Sequence, residues 1–255
     1  MKIGKILLFS LWVCDLNARI PDVSSRVYTP LSKVKDFSFD LKAEHISELV
    51  SLKVLNKELN QIKVSAYKYN DSREIEIIGI KKVPADVKTK IRELFINKAQ
   101  IVWGTNLADW LGSYKFVQEK NNWFTYIDDS GVLDTMEIKI KFRGQKLEVI
   151  EKRPTGTLKT SYSYVNKDWA GELLVLDSIT RKTYEGNQSV QTENKIEYKK
   201  IDKIGWLPVI LKTKTTQQVN AGTTNKIIRN LDELIYFENF KINKGSAKTW
   251  FSSNK

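Results

Sequence analysis

The chain has 255 residues, and its 42 Lys and Arg against 30 Asp and Glu give a formal net charge of +12. A single cysteine, Cys14, and a single histidine, His45, exclude a disulfide framework and a multi-histidine metal site, and any histidine-bearing triad would have to be built on His45 alone. The positive charges are scattered rather than massed in one run, so they serve solubility and also draw the chain to anionic surfaces, a membrane surface among them.

At the amino terminus Lys2 and Lys5 precede an apolar run from Ile6 to Val13, and Leu16-Asn17-Ala18 offers cleavage before Arg19. This is the three-part pattern of a secretory signal peptide over 1–18. The run is shorter than the roughly 20 apolar residues of a membrane-spanning helix, and no other stretch approaches that length. Leu11-Trp12-Val13-Cys14 faintly resembles a lipobox, but Trp12 and Val13 stand where small residues are wanted, so cleavage after Ala18 is expected in preference to acylation of Cys14. The expected product is a soluble periplasmic monomer without a thiol, which removes thiol nucleophiles and thiolate metal sites.

Residues 19–35, with Pro21, Pro30 and several serines, read as a lead-in segment. A helix is expected next, capped by Asp40 and burying Ile46, Leu49, Val50, Val54, Leu55 and Leu59 at three-and-four spacing. From Ile62 the period changes to two. Ile62, Val64, Ala66 and Tyr67 form one strand and Ile75, Ile77, Ile78 and Ile80 a second, joined at Asn70-Asp71-Ser72 as a hairpin. Pro84 suits the first position of a second helix, which carries Val87, Ile91, Leu94, Phe95 and Lys98 to about Ala99.

Beyond Ala99 the pattern is strand and turn: Gln100 to Trp103, Tyr114 to Gln118, Trp123 to Ile127, Thr135 to Phe142, Lys146 to Glu151, Lys159 to Tyr164, Glu172 to Leu176, Ile179 to Tyr184, Val190 to Tyr198, Leu207 to Thr216 and Lys226 to Asn230. Short turns between such strands build an antiparallel meander. A sheet of this size must close or be covered. The expected fold is therefore α+β: a strongly curved antiparallel sheet, an incomplete β-barrel, with helices covering its concave face. One domain is expected over 36–243, with a loose polar tail over 244–255.

No glycine loop of the phosphate-cradling kind is present, and no cofactor or metal is expected. Asp128, Asp129 and Asp134 cluster around Gly131, but without the ligand spacing of a calcium loop, and Asp-Asp-Ser-Gly between strands is turn composition. A hydrolase would need Asp128 and Asp134 to converge across a cleft. His45 reads as a polar-face residue of the first helix. More telling is the run of Trp103, Trp110, Tyr114, Phe116, Trp123, Phe124 and Tyr126 after the second helix. The loop Thr105 to Ser113 places Trp110 beside Leu107 and Leu111, a greasy rim suited to an apolar ligand. Basic residues interleaved with aromatics also suit single-stranded nucleic acid, but export argues against that partner.

Near the carboxyl end, Gly205-Trp206-Leu207-Pro208, a long Thr- and Lys-rich strand, Gly222, and the closing Phe237-Glu238-Asn239-Phe240-Lys241-Ile242-Asn243 resemble the ending of LolA-like periplasmic lipoprotein carriers. That resemblance implies an incomplete barrel lidded by helices around an apolar cavity, with lipid or lipoprotein acyl chains as cargo and no catalytic residue. The residues expected to line or lid the cavity are Ile46, Leu49, Val50, Leu55, Trp103, Trp110, Leu111 and Trp123. The competing expectations are a structural or partner-binding envelope protein with a filled core, and the carboxylate hydrolase.

Overall fold

The computed structural model describes residues 26–31, 34–43, 62–79, 84–104, 111–219 and 227–253. The signal segment, the buried face expected over Ile46 to Leu59, and Trp110 lie outside them. In chain order the elements are β1 (Asp36–Ala43), β2 (Lys63–Tyr69), β3 (Ser72–Ile78), α1 (Ala85–Trp103), β4 (Lys115–Lys120), β5 (Trp123–Ile127), β6 (Glu137–Arg143), β7 (Lys146–Arg153), β8 (Gly156–Asn166), β9 (Leu174–Glu185), β10 (Gln188–Ile201), β11 (Gly205–Val219), β12 (Ile227–Ile242) and α2 (Ser246–Ser253).

The twelve strands form one antiparallel sheet in the order β3-β2-β1-β12-β11-β10-β9-β8-β7-β6-β5-β4. Every contact is between sequence neighbours except β1 with β12, which joins the first and last strands inside the sheet. The meander is as expected; the strong curl is not. The sheet is neither closed nor strongly curled, so the half-barrel is corrected to an open sheet with β3 and β4 as its edges.

Four local expectations are also corrected. Asp40 caps no helix: Phe37, Phe39 and Leu41 are buried while Asp40 and Lys42 point the other way, and this period-two alternation makes Asp36–Ala43 a strand. Pro84 is the residue before α1 rather than its first. Gln100 to Trp103 is the last turn of that helix, because Ala99, Val102 and Trp103 continue the stripe of Val87, Ile91 and Phe95. Glu172 to Leu176 and Ile179 to Tyr184 merge into β9, whose break is absorbed by a bulge opposite Ser163 and Tyr164.

The carboxyl-terminal residues expected to be loose form α2 over Ser246–Ser253. Trp250 stacks on Tyr67, with ring centroids 4.8 Å apart, and Phe251 packs near Tyr69. Two aromatic anchors in eight residues outweigh the polar composition of the segment. The described part of the lead-in is packed as well. Leu31 is buried, Lys68 Nζ donates to the Val34 carbonyl at 2.8 Å, and the Tyr28 amide donates to the Leu174 carbonyl.

Register places Phe39, Leu41, Val64, Ala66, Ile75, Leu211, Ile235 and Phe237 on one face of the sheet. Helix α1 lies on that face over β2, β3 and β11, and the Arg92–Glu74 ion pair ties it to β3. Helix α2 lies on the opposite face, over β1 and β2. A second core of Leu111, Tyr126, Ile138, Ile140, Leu147, Val149 and Tyr164 continues the apolar face across β5 to β8, and Leu176 touches both clusters. Each such side chain, fully buried, contributes about 1.5–3 kcal/mol.

Candidate functional site: a buried polar row beneath the first helix

Antiparallel register aligns Ile179 of β9, Asn194 of β10, Thr213 of β11 and Glu233 of β12 in one row across the sheet. The row sits on the apolar face, since Glu233 alternates with the buried Ile235 and Phe237 along β12. Lys98 reaches it from α1, where it lies between Phe95 and Ala99 on the packed side of the helix. Lys98 is 9% exposed and Glu233 only 4%.

Lys98 Nζ donates to Asn194 Oδ1 at 3.0 Å and to Thr213 Oγ1 at 3.3 Å. Thr213 Oγ1 in turn donates to Asn194 Oδ1 at 2.9 Å, and Asn194 Nδ2 donates to the Ile179 carbonyl at 3.4 Å. The ammonium is thus well served. Glu233 is not: both carboxylate oxygens are buried without a hydrogen-bond partner among the described residues. Burial pushes the Glu233 carboxyl up, against the pull of the Lys98 charge. Burial pushes the Lys98 ammonium down, against the pull of Glu233, with Arg181 adding to the depression. Buried polar groups are almost always hydrogen-bonded, so a carboxyl with two empty acceptor sites in an apolar interior calls for a reason. Protonated, it is a donor as well as an acceptor.

The aromatic and aliphatic residues singled out from the sequence are dispersed. Trp103 ends α1, is 3% exposed and packs edge-on to Phe39; its Nε1 is a buried donor with no hydrogen-bond partner among the described residues. Leu111 belongs to the other core. Trp123 lies on the polar face, where the Lys141 ammonium stands over its ring at 5.5 Å. Ile46, Leu49, Val50, Leu55 and Trp110 lie outside the described residues.

Asp128 is committed to its own turn. Its carboxylate accepts from the Ser130 hydroxyl and amide and from the Leu133 amide at 2.8 Å, bonds that hold it below the usual carboxylate range. Asp134 is exposed and joins none of these bonds.

A concavity of about 340 Å³ lies on the opposite face between α2 and strands β1, β2 and β12. Its polar groups satisfy one another: Asp40 accepts from Ser65 Oγ at 2.7 Å and from Asn239 Nδ2 at 2.9 Å, and the Ser38 and Ser246 hydroxyls are 3.0 Å apart. Tyr67, hydrogen-bonded to Glu76, is pushed up to about 12 by burial and by that carboxylate. This network seats α2.

The members of the buried row escaped the sequence reading, yet their signal is there. Leu231-Asp232-Glu233-Leu234-Ile235-Tyr236-Phe237 puts a carboxylate in phase with the apolar positions of β12, and Lys98 falls on the buried stripe of α1. A charge in phase with a core is the mark of such a site. No cluster of potential metal ligands occurs among the described residues, and no described helix is long and apolar enough to cross a membrane. In comparisons with family models, curated proteins and solved structures, the chain matches none of them.

Proposed function

We propose that the chain is an exported carrier of an amphipathic ligand, a lipid or lipoprotein acyl chain, held between α1 and the apolar face of the sheet with its polar end against Lys98 and Glu233. The observation that carries this reading is the Glu233 carboxyl, buried beneath α1 with no hydrogen-bond partner among the described residues for either oxygen. The signal-like amino terminus and the LolA-like carboxyl end agree with it. The reading needs no half-barrel, only an apolar surface and a lid, because burial gives about 25 cal/mol per Å² and no chemical step is involved.

Two measurements test it. Organic extraction of the purified protein, read by mass spectrometry, is expected to release an amphiphile. Titration with a fluorescent fatty acid is expected to saturate, and Glu233→Leu, which removes the carboxyl as a donor to the ligand's headgroup, to weaken uptake by about tenfold, the value of one charge-assisted hydrogen bond. A protein that yields no amphiphile and takes up no probe contradicts the proposal.

One observation favours a second reading. Ile91, Phe95 and Ala99 are fully buried and fill the space between α1 and the sheet, as expected of a structural or partner-binding envelope protein with a filled interior. The same titration separates the two, since a filled interior takes up no probe.

A further inference from the structure

The face of the sheet opposite α1 carries a pattern that stability alone does not favour. Register sets Arg143 of β6, Lys146 of β7, Ser163 of β8, Ser178 of β9, Lys195 of β10 and Lys212 of β11 in one transverse row. Two cation pairs thus flank two hydroxyls, with strands about 4.8 Å apart. On the same face Lys159 of β8 is directly opposite Lys182 of β9. Like charges directly opposed across a ladder destabilise it, and this face holds three such pairs: Arg143 with Lys146, Lys159 with Lys182, and Lys195 with Lys212. Of their residues, Arg143, Lys159, Lys182 and Lys195 make no ion pair among the described residues, while Lys146 and Lys212 hold exposed partners of small value.

We propose that the polar face of the sheet from β6 to β11 is a docking surface for an anionic lipid bilayer. Opposed cations become favourable when an anionic layer lies against them, each Lys or Arg near such a surface adding to the attraction. The rings on this face argue for headgroups over bases. The Tyr184 ring has the Lys159 ammonium 5.6 Å and the Lys182 ammonium 5.1 Å from its centroid, and the Trp123 ring has that of Lys141 at 5.5 Å. Rings engaged this way are not open platforms for base stacking, whereas amphipathic rings beside long basic side chains suit a headgroup layer. The choice of a lipid surface rests in part on the carrier reading, since a carrier of acyl chains must meet a membrane to load or unload. The charge geometry does not.

Flotation of the full chain with phosphatidylcholine vesicles, with or without phosphatidylglycerol, tests the proposal. Binding is expected only with the anionic lipid and should weaken as salt rises. Lys159→Glu with Lys182→Glu is expected to reduce it by at least about tenfold, while Lys200→Glu with Lys203→Glu, the same charge change elsewhere, leaves it nearly intact. Thermal melting and fatty-acid uptake of each variant are measured alongside. Flotation that survives in a protein without probe uptake upholds the docking surface and rejects the carrier. Equal loss in both double variants would show net charge alone at work and overturn the proposal. So would displacement from vesicles by a single-stranded oligonucleotide that binds more tightly than the lipid.

Discussion

At one end of the sheet β1 and β2 lie between two helices, α1 on the apolar face and α2 on the polar one; at the other, β4 is an edge exposed along nearly its whole length over a smaller core. The covered end also holds the pairing of the first and last strands, so its contacts are the most distant in sequence. Stability should therefore be concentrated there, with the β4–β5 end opening first. Charged residues such as Lys115, Glu119 and Lys120 on β4 discourage that edge from pairing with another chain. The buried polar row lies towards the covered end, beneath α1, in the part of the molecule best able to hold an unfavourable group in place.

The comparison breaks most directly at Phe95, fully buried beneath α1. Phe95→Ala is expected to destabilise the fold by about 3–5 kcal/mol, measured by urea unfolding, and to reduce amide protection in β1 and β2 more than in β5. Trp250→Ala removes the stack on Tyr67 and should cost about 1–2 kcal/mol, with lost protection confined to α2, β1 and β2. An effect of that variant on β4 to β8 would contradict the division into two ends.

The subtlest effect is one of pH. Glu233 is raised from 4.5 to about 8, so the folded state holds a proton that the unfolded state releases. The stability this contributes is full below the unfolded value and is lost as pH rises towards about 8. Lys98 is lowered from 10.5 to about 8; its contribution is present above the unfolded value and is lost as pH falls towards about 8. The pair thus contributes least near pH 8. Glu233→Gln, which mimics the protonated acid, should be almost silent at pH 5 and should flatten the decline between pH 5 and 8 in chemical-denaturation curves.

Much of this architecture was legible in alternation and turn chemistry. Trp123 to Ile127 matches β5, the Asn70-Asp71 turn joins β2 to β3, and the stripe through Val87, Ile91 and Phe95 gives α1. What period-two reasoning could not supply was the extent of curl, which depends on packing between distant strands, or the pairing of β1 with β12, which no local pattern encodes. Asp40 misled because an aspartate before an apolar run suits a helix cap as well as the polar side of a strand. The tail misled because composition weighs all residues alike, whereas Trp250 and Phe251, with the Ser38–Ser246 and Asp36–Ala247 hydrogen bonds, anchor α2. Near the candidate site, Trp103, expected from the sequence to line or lid a cavity, is a buried ring at the end of α1. Glu233 and Lys98 were not singled out, because a charge on an apolar face is informative only once the face is known.

Hydrogen exchange of the purified chain with and without a saturating fatty acid is the most direct test of ligand binding beneath α1. Added protection is expected in α1 and in the central segments of β10, β11 and β12 around Asn194, Thr213 and Glu233, with none in β4 or β5, and less of it in Glu233→Leu at a half-saturating fatty-acid concentration. Protection confined to α2 and the groove around Asp40, or none anywhere, would contradict it.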